Sequence, residues 1–270
     1  MNHAPGDTPV RRRIRNIVGG SAGNLVEWYD WYIYAAFALY FAPVFFPEGD
    51  RTSQLLSTAA IFAVGFVMRP IGAWIMGVYA DRKGRKAGLS LSVGLMCIGS
   101  LAIALAPTHA EAGALAPAVL VAARMLQGLS LGGEYGSSAT YLSEVAGRER
   151  RGFFSSFQYV TLIAGQLIAS AVLLILQFAM SEPALEAWGW RIPFAIGAVL
   201  ALVVFYIRRR LSETESFLNA KAAGAPTSGG MRLLKEHPKE ALLVMALTAG
   251  GTLAFYAYTI YLPKFLVNTS

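Results

Sequence analysis

Charged residues are scarce in this chain of 270 residues: they make up 14% of it, whereas a soluble domain carries roughly 25%. Hydrophobic residues account for 55% of the chain, and its mean hydropathy is +0.48. So few charges over so much apolar sequence exclude an ordinary soluble domain. The composition therefore predicts an integral membrane protein.

Cysteine and histidine are also scarce, which limits the chemistry available to the chain. The single cysteine, Cys97, lies inside an apolar run, so a disulfide framework and a paired thiol site for a metal are both excluded. The three histidines, His3, His109 and His237, fall in a polar tail or in loops. No metal site is expected, and the lack of a Ser/His/Asp or Cys/His cluster argues against a membrane-embedded enzyme.

Apolar segments recur along the chain, and each is long enough to cross a bilayer core, which takes about 20 residues. They lie at about 17–46, 54–80, 87–107, 115–143, 152–179, 189–207 and 241–266.

The net charge of +7 comes from cations in the tail and in alternate connections, which is a topology signal and does not indicate nucleic-acid binding. These cations are Arg11, Arg12, Arg13, Arg15, Arg82, Lys83, Arg85, Lys86, Arg148, Arg150, Arg151 and those from Arg208 through Lys239. Cationic connections stay cytoplasmic, so the N-terminus is expected inside and residue 270 outside.

The segments imply three parts. Residues 1–210 form a predicted bundle of six transmembrane helices, 211–240 a cytoplasmic linker, and 241–270 a seventh transmembrane helix. The linker is the one long connection, and it is rich in Ser, Thr, Glu, Gly and Pro.

The connection between the second and third segments has the spacing G-x-x-x-D-R-x-G-R-K. Gly77 would allow close helix approach, Asp81 could cap the helix end or pair with an arginine, and Gly84 would supply a turn with positive φ. Asp81 and Arg85 are expected to join a charge network with residues after the fourth segment; a generic cationic loop is the alternative. The predicted conformational loop and its partners are Gly77, Asp81, Arg82, Gly84, Arg85, Glu144, Arg148 and Arg151.

Five charged residues fall inside predicted spans: Glu27, Asp30, Arg69, Arg124 and Glu134. At about 1.5 Å of rise per residue, the first, third and last lie about 14–18 Å into the membrane, near its midplane. Charges at this depth are costly and by default mark a substrate or ion path. We predict one polar site between the helices.

The three acids are candidate proton carriers. Burial and mutual repulsion disfavour the charged forms of Glu27 and Asp30, which suits a group that gains and loses a proton. Glu134 is a further candidate. The alternative is that each acid pairs permanently with an arginine and only locks helices together.

The arginines are candidate anion ligands, since a guanidinium forms two parallel hydrogen bonds with a carboxylate. Arg69 fits this role, whereas Arg124 could bind an anion or only neutralise Glu134. Glycines 128, 132 and 136 form a ridge that favours helix packing over binding. Tyr159 and Gln166 are candidates for substrate contacts or, equally, for contacts between helices.

Four motifs carry a family resemblance. They are GNLVEWYDWYIY at Gly23–Tyr34, RPIG at Arg69–Gly72, RMLQGLSLGGEYGSSATYLSE at Arg124–Glu144 and WGWRIPF at Trp188–Phe194. These motifs resemble the metabolite:proton symporter family of the major facilitator superfamily, and the match covers nearly all of the chain.

The resemblance implies an all-α transmembrane fold, namely the N-terminal six-helix bundle of a twelve-helix transporter plus its seventh helix, so that the chain would be a truncated transporter. It implies proton-driven symport of an organic acid, a C5 dicarboxylate such as α-ketoglutarate, across the bacterial inner membrane. The expected partners are this substrate, protons and the lipid bilayer, with the proton gradient in place of a cofactor. Another metabolite (shikimate, citrate, proline or betaine) and a non-transporting sensor or assembly subunit are the alternatives.

Overall fold

A computed structural model describes residues 9–146, 150–224 and 235–258, and in these ranges the chain is helical without a β-strand. The helices are α1 Pro9–Phe45, α2 Arg51–Lys83, α3 Arg85–Ala104, α4 His109–Ala112, α5 Leu115–Ala146, α6 Arg151–Ala179, α7 Glu182–Ala184, a π-helical turn Leu185–Gly189, α8 Arg191–Arg209, α9 Glu215–Ala222 and α10 Pro238–Tyr256.

Five helices among the described residues are long and apolar enough to cross a membrane: α2, α3, α5, α6 and α8. The predicted first span lies in α1, whose sequence is interrupted by Glu27, Asp30 and many tyrosines and tryptophans. The predicted last span, 241–266, is described only as far as residue 258.

Helix α1 supplies much of the core of the bundle. Its residues Tyr29, Ile33, Phe37, Phe41 and Phe45 recur every four positions, so they line one face of the helix, and all are fully buried. The helix packs against α6, α5, α8 and α2. Because this helix is surrounded by others, its polar side chains are held among protein groups.

Helices α2 and α5 approach closely through glycine. A Cβ atom on Gly132 would collide with the carbonyl of Arg69, and one on Gly128 with the carbonyl of Gly65. The packing interpretation of the ridge is therefore confirmed at these two positions. Gly136 and Gly77 differ, because no described atom lies within 4 Å of a Cβ built on either. The close approach expected at Gly77 is thus not made by any described residue, and both glycines line a groove of about 250 Å³.

Gly132→Ala is expected to lower the free energy of unfolding by about 1–3 kcal/mol, the usual cost of overpacking a well-packed interior. The matched control is Gly136→Ala, which makes the same change in the same helix where the structure leaves space. Thermal unfolding of the purified variants in detergent measures the difference. Equal midpoints for the two variants would show that α2 and α5 do not depend on this contact.

The chain divides into two compact units, Met1–Ala225 and Pro226–Ser270. The first holds α1 to α9, and the second holds α10. The predicted linker begins inside the first unit, where Leu211 and Thr214 are buried. The prediction of a linker from 211 to 240 therefore spans the boundary between the units.

Candidate functional site

An ion pair inside the first unit joins Glu134 of α5 to Arg208 of α8. Both side chains are fully buried, and each terminal nitrogen of the guanidinium contacts one carboxylate oxygen, Nη1 lying 2.7 Å from Oε2. Ser92 of α3 donates to the same carboxylate at 2.5 Å. Arg208 also donates to the backbone carbonyls of Leu89, at 2.6 Å, and Gly19, at 3.1 Å. The pair thereby connects α1, α3, α5 and α8.

Two sequence interpretations are corrected here. Arg208 was placed among the cations of a cytoplasmic connection, but it lies in the last turn of α8 and points into the bundle. The hypothesis that Arg124 neutralises Glu134 is also wrong, because Arg208 does so. The helical spacing of the sequence could have indicated that Arg208 is buried. It continues the buried positions of α8, which are Gly197, Ala201, Val204 and Arg208, whereas the next residues, Arg209 and Arg210, are exposed.

Glu27 lies beside this ion pair but has different partners. The Ser130 hydroxyl is 2.5 Å from Oε1 of Glu27 and 2.7 Å from the carbonyl oxygen of Ser92. The other carboxylate oxygen of Glu27, Oε2, is buried without a hydrogen-bond partner among the described residues. Glu27 therefore has spare hydrogen-bonding capacity in a buried position.

Asp30 belongs to a second polar cluster. Its carboxylate accepts a hydrogen bond from Ser100 at 2.8 Å and another from the side-chain amide of Gln127. Gln127 in turn accepts from Nη1 of Arg124 at 2.7 Å. Asp30 is thus linked to Arg124 through one intervening amide, while Nε and Nη2 of Arg124 are buried with no hydrogen-bond partner among the described residues.

The guanidinium groups of Arg69 and Arg124 lie over the same aromatic ring. Their central carbons are 3.9 and 4.4 Å from the centroid of the Trp31 ring. Contacts with aromatic faces attract cations and fix the plane of the guanidinium. The other rings in contact are Trp28 and Phe66 for Arg69, and Tyr34 and Phe62 for Arg124.

The candidates Tyr159 and Gln166 both lie on α6. Tyr159 is 63% exposed, and its hydroxyl forms a hydrogen bond with that of Tyr135. Gln166 is half-buried. No described hydrogen bond joins either residue to Arg124, and their contact with a substrate stays a prediction.

The loop between α2 and α3 turns at Gly84, whose φ of 112° confirms the predicted turn. Asp81 pairs with Arg85, and Nε of Arg85 lies 3.6 Å from the carboxylate of Glu144. These contacts confirm the pairing expected at this loop. Of the other residues assigned to the network, Arg82 and Arg151 are exposed, and Arg148 lies outside the described ranges.

Glu213, which the sequence interpretation missed, also binds to this loop. Glu213, just after α8, accepts hydrogen bonds from the backbone N–H of Arg85 at 3.0 Å and of Lys86 at 3.2 Å. It therefore caps the N-terminus of α3, where an anion is favoured. Next to it, Thr214 donates to Glu144 at 2.6 Å. The start of the predicted linker is thus fixed to the same end of the bundle as the cationic loop.

Among the described residues, no group of three or more His, Cys, Asp and Glu side chains could hold a metal ion. The charged groups inside the first unit include the half-buried Arg69 and the buried Arg124 on one tryptophan, three buried carboxylates and the buried Arg208. Guanidinium groups can bind anions, and buried carboxylates can exchange protons.

Residues 16–239 match the protein family described as Sugar (and other) transporter. The chain belongs to this family. Among curated relatives of the chain, the alpha-ketoglutarate permease of Escherichia coli is 53% identical over 97% of this chain and 60% of its own length. The citrate-proton symporter of Klebsiella pneumoniae is 35% identical over 94% of this chain and 57% of its own length. The chain therefore spans about 60% of the length of these relatives.

Solved transporter structures have the same fold. The xylose transporter XylE from E. coli, in a partially occluded inward open conformation, matches with a TM-score of 0.72 at 20% identity, covering 91% of this chain and 60% of that one. The match to a major facilitator superfamily proton:xylose symporter confirms the predicted fold class. The chain is a multi-pass protein of the bacterial inner membrane, from a family of transporters and not of enzymes.

Proposed function

We propose that the protein carrying this chain is a proton-coupled symporter for a dicarboxylate, with α-ketoglutarate as the first candidate. The observation that carries the proposal is the pair of guanidinium groups, Arg69 and Arg124, over Trp31 inside the bundle. Two fixed cations suit a substrate with two carboxylates. The names of the relatives support the same choice, since they include an alpha-ketoglutarate permease and citrate-proton symporters.

The energetics require a coupled cation. α-Ketoglutarate is a dianion at neutral pH, and moving two negative charges inward against 100 mV costs about 4.6 kcal/mol, at roughly 2.3 kcal/mol per charge. Inward protons offset this cost. Glu27 is our first choice for the acid that carries them, because one of its oxygens is buried without a hydrogen-bond partner among the described residues; Asp30 and Glu134 are the other candidates.

The relatives also include proteins named for other substrates. Putative proline/betaine transporters are also relatives, at 33% identity for the one from Staphylococcus haemolyticus. Proline and betaine each carry a single carboxylate, so a second fixed arginine would have no substrate carboxylate to bind. The arginine pair therefore favours a dicarboxylate or tricarboxylate.

Uptake into vesicles reconstituted with the natural gene product tests the proposal. An inward proton gradient should drive accumulation of labelled α-ketoglutarate, and unlabelled citrate, shikimate, proline and betaine should compete in an order that gives the specificity. Binding of α-ketoglutarate without any uptake would favour the alternative of a non-transporting sensor. Accumulation that ignores the proton gradient would rule out proton coupling.

The orientation in the membrane is a further prediction. We expect a reporter inserted within 211–240 to be cytoplasmic and one fused after Ser270 to be external, because cationic connections stay inside. The contact between Thr214 and Glu144 supports the first half, since it holds the linker at the end with the cationic loop. Activity of paired alkaline phosphatase and fluorescent protein fusions measures the sidedness, and a cytoplasmic signal after Ser270 would contradict the predicted seven spans.

A further inference from the structure

We infer that Arg208 is a positioning residue for proton coupling: it holds Glu134 as a permanently ionised counter-ion, so that Glu27 is the acid of this cluster that exchanges the proton. The inference rests on the proposed function and adds to it a residue to which the sequence motifs gave no role. It also assigns different roles to two neighbouring buried acids, since Glu134 stays ionised and Glu27 exchanges the proton.

The guanidinium of Arg208 suits only the ionised form of Glu134, whereas the third contact of Glu134, the Ser92 hydroxyl, can donate or accept a hydrogen bond. Both oxygens of Glu134 face the terminal nitrogens of Arg208, and a guanidinium has five N–H donors and no acceptor. A proton on Glu134 would therefore leave the buried guanidinium of Arg208 without its counter-charge, which is strongly destabilising. Arg208 is itself held by the carbonyls of Gly19 and Leu89, so it cannot move away without leaving buried donors unsatisfied.

The partner of Glu27 suits both protonation states. The Ser130 hydroxyl can donate a hydrogen bond to an ionised Glu27 or, after rotation, accept one from a neutral Glu27 and donate to the carbonyl of Ser92 instead. The second oxygen of Glu27 is buried and has no hydrogen-bond partner among the described residues. Gain or loss of the proton thus requires only the turn of one hydroxyl.

The charged groups around the cluster are few. Those that act on Glu27 are Glu134 on α5, Arg208 on α8 and Arg69 on α2. Helices α3 and α6 carry charged residues only in their first turns, and Asp30 on α1 is bonded to Ser100 and Gln127 instead. Without Arg208, the adjacent buried carboxylates of Glu27 and Glu134 would have Arg69 as the remaining cation of this set. Because one cation cannot offset two buried negative charges, Glu134 would then take up a proton.

Infrared titration of the purified protein tests the assignment without any substrate. The carboxylic acid band that disappears in Glu27→Gln should persist in Glu134→Gln/Arg208→Gln. Arg208→Gln alone should add a second band that the double variant lacks. Arg209→Gln, a change at the exposed neighbour, is the matched control and should leave the spectrum unchanged. If the double variant loses the Glu27 band, or Arg208→Gln gains none, the assignment is overturned.

Transport adds a second measurement. We expect Arg208→Gln to slow proton-driven uptake about tenfold and to displace its pH profile. The double variant Glu134→Gln/Arg208→Gln should recover most of the rate and show the wild-type profile. The reason is that a neutral replacement of a whole buried ion pair is tolerated far better than a broken pair. If Arg208→Gln does not fold, the double variant still decides: a retained profile supports the inference and a displaced one overturns it. Wild-type protein that does not take up α-ketoglutarate would refute the proposed function, while the infrared result would still stand.

Discussion

Replacing Arg69 with lysine in the natural gene product is expected to reduce α-ketoglutarate uptake about tenfold or more, because losing one hydrogen bond to a charged group costs about 1.5–3 kcal/mol. Lysine keeps the positive charge but presents a point charge in place of a planar fork. It also cannot stack on Trp31, from which the guanidinium carbon of Arg69 lies 3.9 Å. The replacement therefore removes the second hydrogen bond to the substrate and the group that orients it.

The matched control for this prediction is Arg191→Lys. Arg191 also lies over a tryptophan, with its guanidinium carbon 4.2 Å from the ring of Trp190, but it lies at the start of α8 and donates to the carbonyl of Ala106. Initial rates of uptake and the KM for α-ketoglutarate should be close to wild type in this control. Equal KM values for Arg69→Lys and wild type would remove Arg69 from the substrate site.

The depth of the polar site was predictable from the chain. Charged residues are rare in the apolar runs, so Glu27, Arg69 and Glu134 stood out, and counting residues from the helix ends placed them at a common depth. The structure places Glu27 and Glu134 next to each other, linked through Ser130 and Ser92. The turn at Gly84 was also predictable, because it depends on a local backbone conformation that favours glycine.

The partner of each charge was not predictable, because it depends on how distant helices pack. Glu134 and Arg208 are separated by 74 residues, and Glu27 and Ser130 by 103. Nothing local distinguishes Arg208 from the two arginines that follow it, except its register with the buried face of α8. Glu213 was missed for the same reason, since its role as a cap depends on a helix that begins 128 residues earlier.

Neutralising Glu27 is expected to separate proton coupling from substrate exchange. In Glu27→Gln, accumulation of α-ketoglutarate should no longer respond to an imposed pH gradient, while counterflow of labelled against unlabelled substrate should continue. Glutamine fills the same space and can still bond to Ser130, so the site keeps its shape but cannot release a proton. Without an inward proton, uptake of the dianion must overcome about 4.6 kcal/mol at 100 mV, which lowers the attainable accumulation by roughly three orders of magnitude.

The control for this last prediction is Glu186→Gln, a neutralised acid that is 39% exposed and paired with Arg51 away from the polar site. It should behave as wild type in both assays, so that a change in Glu27→Gln cannot be ascribed to the loss of any one acid. Uptake and counterflow are compared in the same vesicles, with and without the gradient. If Glu27→Gln still accumulates α-ketoglutarate in response to the proton gradient, Glu27 is not the coupling acid, and the choice passes to Asp30, whose carboxylate is joined to Arg124 through Gln127.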